Sequence, residues 1–101
     1  MEKPIDTVVL GLGYVGLPLA LHLAKRGRVV RGMDIDINKV ISLKYGHSYV
    51  DDVSDAHVRE ALESRFFSVS LPNQDLEQAA YIIVCVPTPF DQQKGVPDLH
   101  A

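Results

Sequence analysis

The chain reads as an α/β fold on a parallel sheet with strand order 3-2-1-4. Three observations predict this. Short runs rich in β-branched residues alternate with segments of helical period. Glycines and prolines punctuate the changes from one to the other. The run YIIVCV is continuously apolar, as a strand buried on both faces should be. The resulting order, β-α-β-α-α-β-α-β, requires crossover connections, which build parallel sheets with right-handed crossovers.

The first strand is expected over Ile5 to Leu10, between Pro4 and Gly11. A helix follows over 14 to 26. Val15, Leu19, Ala20 and Leu23 share one face at a period of 3.6. Lys25, Arg26 and Gly27 make a basic last turn and a glycine stop. Val29 to Met33 is the second strand. Asp36 is a candidate cap for a helix running to Lys44, with Gly46 as its stop. Residues 46 to 54 read as irregular. Ser54 caps a helix over about 55 to 64, and Phe66 to Ser70 is the third strand. A short helix is expected over Leu76 to Ala80, capped near Asn73 or Asp75. Tyr81 to Val86 is the fourth strand, fully buried. The prolines and glycine of PTPFDQQKGVPD then predict a loop without regular structure.

Composition narrows the function classes. A length of 101 residues suits one small domain. A net charge of −3 gives no electrostatic reason to bind nucleic acid. No apolar run approaches the ~20 residues of a membrane span. MEKPIDT lacks the pattern of a signal peptide. The single cysteine, Cys85, excludes an internal disulfide and suits a reducing cytoplasm, the expected location.

The motif with chemistry is GLGYVG. Gly11 permits a tight turn out of the strand, and Gly13 lets the backbone approach a pyrophosphate. Gly16 lets the helix pack close to the sheet. The helix N-terminus offers amides and a positive dipole end to phosphates. Asp34 follows Gly16 by 18 residues, near the ~20 expected for an acid that binds the adenosine ribose. Its carboxylate would repel a 2′-phosphate, so NAD is favoured over NADP. This is the fingerprint of a Rossmann-type sheet; the blander alternative is that Asp34 caps a turn and the glycines only shape a connection. Asp36 reads as a helix cap rather than a ligand contact. Lys39 reads either as a cation beside the adenosine or as a solvated surface lysine. Val86-Pro87-Thr88-Pro89 closes the fourth strand, where strands 1 and 4 flank the cofactor crevice. Pro87 and the Thr88 hydroxyl would stand beside the cofactor there, or the prolines would only end the strand.

GLGYVGLPLA, GMDID and CVPTPFDQQKGVPDL together resemble the N-terminal region of the nucleotide-sugar 6-dehydrogenases. These are the UDP-glucose, UDP-N-acetylhexosamine and GDP-mannose dehydrogenases. GHSYVDDVSD is most similar to the UDP-N-acetylhexosamine branch. The resemblance covers almost the whole chain. It implies oxidation of a UDP-sugar C6 alcohol to the uronate with two NAD. It also implies NAD contacts from Gly11, Gly13, Tyr14, Val15, Gly16, Asp34, Lys39, Pro87 and Thr88. Lysine at 39 departs from the arginine frequent in the family, losing the planar fork of a guanidinium. Family members are several times longer, and their catalytic cysteine lies in later parts. Cys85 does not match that motif and reads as a small buried hydrophobe. His22, His47, His57 and His100 show no metal-ligand spacing.

The expectation is therefore the N-terminal part of an NAD-binding domain, truncated before the remaining strands. It should hold no catalytic or metal-ligating residues and be inactive alone. Its fourth strand should present a bare edge through which a homo-oligomer forms. Two other readings stay open. One is a GLGxxG dehydrogenase of the 3-hydroxyacid or 6-phosphogluconate type, which leaves VPTP and GHSYVDDV unexplained. The other is a non-catalytic nucleotide-binding module.

Overall fold

A computed structural model describes residues 4–85 and the backbone of 90–91 and 96–97. The described elements are β1 (Thr7–Leu10), α1 (Gly16–Lys25), β2 (Val30–Met33), α2 (Ile37–Lys44), α3 (Asp55–Ser64) and β3 (Phe67–Ser70). A 3₁₀ helix, Gln74–Gln78, leads into β4 (Tyr81–Val84), and β5 (Phe90–Asp91) and β6 (Val96–Pro97) form a separate pair. The main sheet is parallel, in the order β3-β2-β1-β4. After β3 the chain crosses to the far side of β1. The ends of β1 and β4 therefore flank a topological switch point, where crevices form in such sheets.

Strand periodicity divides the sheet into two unlike faces. Val9, Val30, Phe67 and Val69 point to the face covered by the helices, where they join Leu17, Ala20, Val40, Leu43 and Val58 in one core. Wholly buried aliphatic side chains of this kind contribute about 1.5–3 kcal/mol each. On the other face Arg31 spans the neighbouring strand. It donates to Ser68 Oγ (2.7 Å) and Ser70 Oγ (3.4 Å) and pairs with Asp75 (3.1 Å), which the 3₁₀ helix supplies.

Several expectations need correction. Strands β1, β2 and β3 start one or two residues later than predicted. The buried stripe of α1 is Gly16, Leu17, Ala20 and Ala24; of the expected Val15, Leu19, Ala20 and Leu23, only Ala20 is fully buried. Val15 precedes the first turn and is 69% exposed. The expected helix over 76–80 is the 3₁₀ turn, capped by Asn73, whose side chain accepts the Asp75 N–H at 2.8 Å. Strand β4 ends at Val84 and is not fully buried: Tyr81, Ile82 and Val84 are exposed. An all-apolar run has the composition of a central strand wherever the strand lies, and β4 is an edge among the described strands. Cys85 lies just past β4 and is partly exposed. The segment after β4 is not all loop, since Phe90 pairs with Pro97 and Asp91 with Val96 in an antiparallel ribbon. Proline is tolerated there because a two-stranded ribbon consists only of edges.

Candidate functional site

The glycine turn lies at the C-terminal end of β1. Gly11 leaves the strand with φ +95°, a left-handed conformation that favours glycine, and its N–H donates to the Met33 carbonyl at 2.8 Å. A Cβ on Gly16 would sit 1.7 Å from the Gly11 carbonyl oxygen, so α1 can approach the strand only with glycine there. A Cβ on Gly13 would meet no protein atom within 4 Å. The space in front of Gly13 is open, as a cradle for a pyrophosphate must be. Tyr14 and Val15 stand exposed beside it.

The α1 terminus is also open. Its first turn holds no acidic residue, and no side chain caps its amides. The other described helices are each capped, by Asp36, Ser54 and Asn73. Orphan amides at a helix start are the groups that bind phosphate.

Asp34 follows β2 and faces the turn. It is 9% exposed. One carboxylate oxygen accepts the Leu12 N–H and the other the Asp36 N–H, both at 2.8 Å. A carboxylate offers about four acceptor positions, so two amide bonds leave capacity for ribose hydroxyls. Among the described residues no cation pairs with it. Asp36, as expected, is a cap: its side chain accepts the Asn38 N–H at 2.9 Å. Lys39, read from the sequence as a cation beside the adenosine or a surface lysine, is half-buried and rests over an aromatic ring. Its ammonium lies 5.7 Å from the centre of the Tyr49 ring. Pro87 and Thr88 lie outside the described residues.

Two residues were not visible as site residues in the sequence. Leu12, the variable residue between Gly11 and Gly13, is wholly buried. Its side chain fills the space over Gly32, where a Cβ would come within 2.8 Å of it. Tyr49, from the irregular segment after α2, donates its hydroxyl hydrogen to the Leu12 carbonyl. Burial, and then the negative charges of Asp34 and Asp36, push the Tyr49 hydroxyl well above the ordinary tyrosine pKa, so it remains a donor. Two cavities, of about 490 and 650 Å³, lie elsewhere. One runs between α1 and α3, and the other opens beside Val29 and Phe67. Neither is lined by the glycine turn, where the space in front of Gly13 is open.

An uncapped helix start, a glycine cradle and a buried acid at the next strand end, set at a switch point, define a dinucleotide-binding domain. The family model for the "UDP-glucose/GDP-mannose dehydrogenase family, NAD binding domain" matches residues 5–101, so the chain belongs to that family and its cofactor is NAD. A UDP-N-acetyl-D-glucosamine 6-dehydrogenase of Pseudomonas aeruginosa is 41% identical over 97 residues, covering 96% of this chain and 22% of that protein. Among solved structures, a UDP-D-ManNAc dehydrogenase from Pyrococcus horikoshii superposes with a TM-score of 0.83. It is 32% identical, with 95% of this chain and 23% of the other covered. A GDP-mannose dehydrogenase from Pseudomonas aeruginosa, solved as a ternary complex, also gives 0.83, at 27% identity over 94% of this chain and 22% of the other. The chain thus spans about a fifth of the length of the relatives it matches.

Proposed function

We propose that the chain is the N-terminal portion of the cofactor domain of a UDP-N-acetylhexosamine 6-dehydrogenase. The parent would oxidise the sugar C6 alcohol to the carboxylate, and NAD, when bound, supplies the hydride acceptor. The choice of sugar is supported by the 41% identity to a UDP-N-acetyl-D-glucosamine enzyme. Gly11, Gly13, Tyr14, Val15 and Gly16 hold the pyrophosphate against the open start of α1. Asp34 accepts hydrogen bonds from the adenosine ribose, Lys39 flanks the adenosine, and Pro87 with Thr88 stands beside the rest of the cofactor. The one cysteine of this stretch, Cys85, suits a reducing, cytoplasmic setting.

The observation that carries this reading is the Asp34 carboxylate, held by two amides with acceptor capacity to spare. Calorimetry tests it. The chain should bind NAD in preference to NADP. Asp34→Asn keeps one acceptor for the turn but loses the charge, and should weaken NAD about ten- to a hundredfold. Equal affinity in both proteins would remove Asp34 from the site. The chain mixed with NAD and a UDP-sugar should form no NADH, whereas a longer form carrying the catalytic part should form two per sugar oxidised. NADH formed by the 101-residue chain would overturn the assignment of catalysis to the remainder.

A further inference from the structure

Leu12 is held from three directions. Its side chain is buried over Gly32, its N–H is bonded to Asp34, and its carbonyl accepts from Tyr49. The first two anchors lie within the strand-turn-helix unit and its neighbouring strand. The third comes from a segment 37 residues away in sequence.

That segment is braced. The His47 N–H donates to the Ser42 carbonyl (2.9 Å), and the Ser42 hydroxyl donates to the His47 carbonyl (3.0 Å). The Ser48 N–H donates to Asp55 (2.8 Å), and the Val50 N–H to the Ser48 hydroxyl (3.1 Å). Val50 and Val53 are buried in the core. Tyr49 is therefore presented to the turn from a fixed support at the end of α2 and the start of α3.

We propose that Tyr49 is a positioning residue for the cofactor turn: by holding the Leu12 carbonyl, it aims the Gly13 N–H at the pyrophosphate. The inference rests on the NAD reading of the same turn. The physical link is the peptide plane. In a trans peptide the carbonyl and the following N–H point in opposite directions, and the described chain has no cis bond. Fixing the Leu12 oxygen on Tyr49 thus turns the Gly13 N–H away from Tyr49. Asp34 fixes the preceding plane through the Leu12 N–H. Two consecutive peptides of the turn are set before any ligand arrives, which reduces the ordering cost of binding. GHSYVDD therefore serves the cofactor, whatever it contributes to the choice of sugar.

Tyr49→Phe tests this. It removes one hydroxyl and retains a ring on which Lys39 can rest. Affinities are measured by calorimetry for NAD and by amide shift titration for adenosine, at a temperature where both proteins are fully folded. NAD should bind about three- to tenfold more weakly, the effect of one lost hydrogen bond. Adenosine, which has no phosphate to meet the turn, should change less than twofold. A purely structural role would lower the melting temperature and leave the ratio of the two affinities unchanged. NAD affinity within twofold of wild type, or equal losses for both ligands, would overturn the inference alone. A wild-type chain that does not bind NAD at all would overturn the assignment of NAD binding to this turn, and this inference with it.

Discussion

Helices α1 and α3 are both ten residues long, yet they begin in opposite ways. At α3 the Ser54 hydroxyl accepts the His57 N–H at 3.1 Å, and Asp55 adds a negative charge to the first turn. A side-chain cap and an acidic first turn are both in place there. At α1 Val15 occupies the cap position and contributes no side-chain hydrogen bond, although a good cap is worth about 1 kcal/mol. The contrast teaches how to tell a structural helix start from a binding one. The first satisfies its amides internally; the second leaves them open, as the proposed phosphate site requires.

The sharpest way to break the comparison is at Gly13. Gly13→Ala places a methyl in open space, so the free protein should melt within a degree or two of wild type. The same methyl occupies the cradle, and NAD affinity measured by calorimetry should fall on the order of tenfold or more. An unchanged affinity would mean that the open space is not where the phosphates go. Ser54→Ala should show the reverse pattern. Denaturant titration should show a loss of about 1 kcal/mol, with NAD affinity kept within twofold. A loss of affinity as large as at Gly13 would erase the distinction between the two helix starts.

The smallest effect is in acid. Asp55 is held below the ordinary carboxylate range, first by the Ser48 N–H and then by His47. A depressed folded pKa gives stability that is present above the unfolded value, 3.8, and lost as pH falls through the folded one. Asp6, bonded to the Thr7 hydroxyl and then Arg28, behaves in the same direction. Melting temperatures followed from pH 5 downward should therefore fall, and Asp55→Asn should flatten the fall without abolishing it. An identical acid limb in that variant would show that Asp55 carries none of it.

How much of this was legible in the sequence depended on range. Features set within a few residues were readable: the caps Asp36 and Ser54, the stops Gly27 and Gly46, and the Gly11–Gly16 turn. The strand order also followed, because crossover rules leave few topologies. Spacing put Asp34 at the end of β2, but not its bond to the Leu12 N–H, which depends on how β1 and β2 lie side by side. Val15 was assigned to the buried stripe because helical phase does not reveal where the first turn begins. The exposure of β4 was missed because residue type does not report which strand ends a sheet. Tyr49 left no local signal at all. Its hydroxyl matters only because the fold brings it to Leu12.

The Tyr49 hydrogen bond has a practical consequence as well. The chain contains no tryptophan and four tyrosines, so its intrinsic fluorescence comes from tyrosine. Tyr14, Tyr45 and Tyr81 are largely in water, whereas Tyr49 is partly covered and bonded to the turn. Comparing the emission of the wild type with that of Tyr49→Phe isolates the one tyrosine bonded to the turn, without attaching a label.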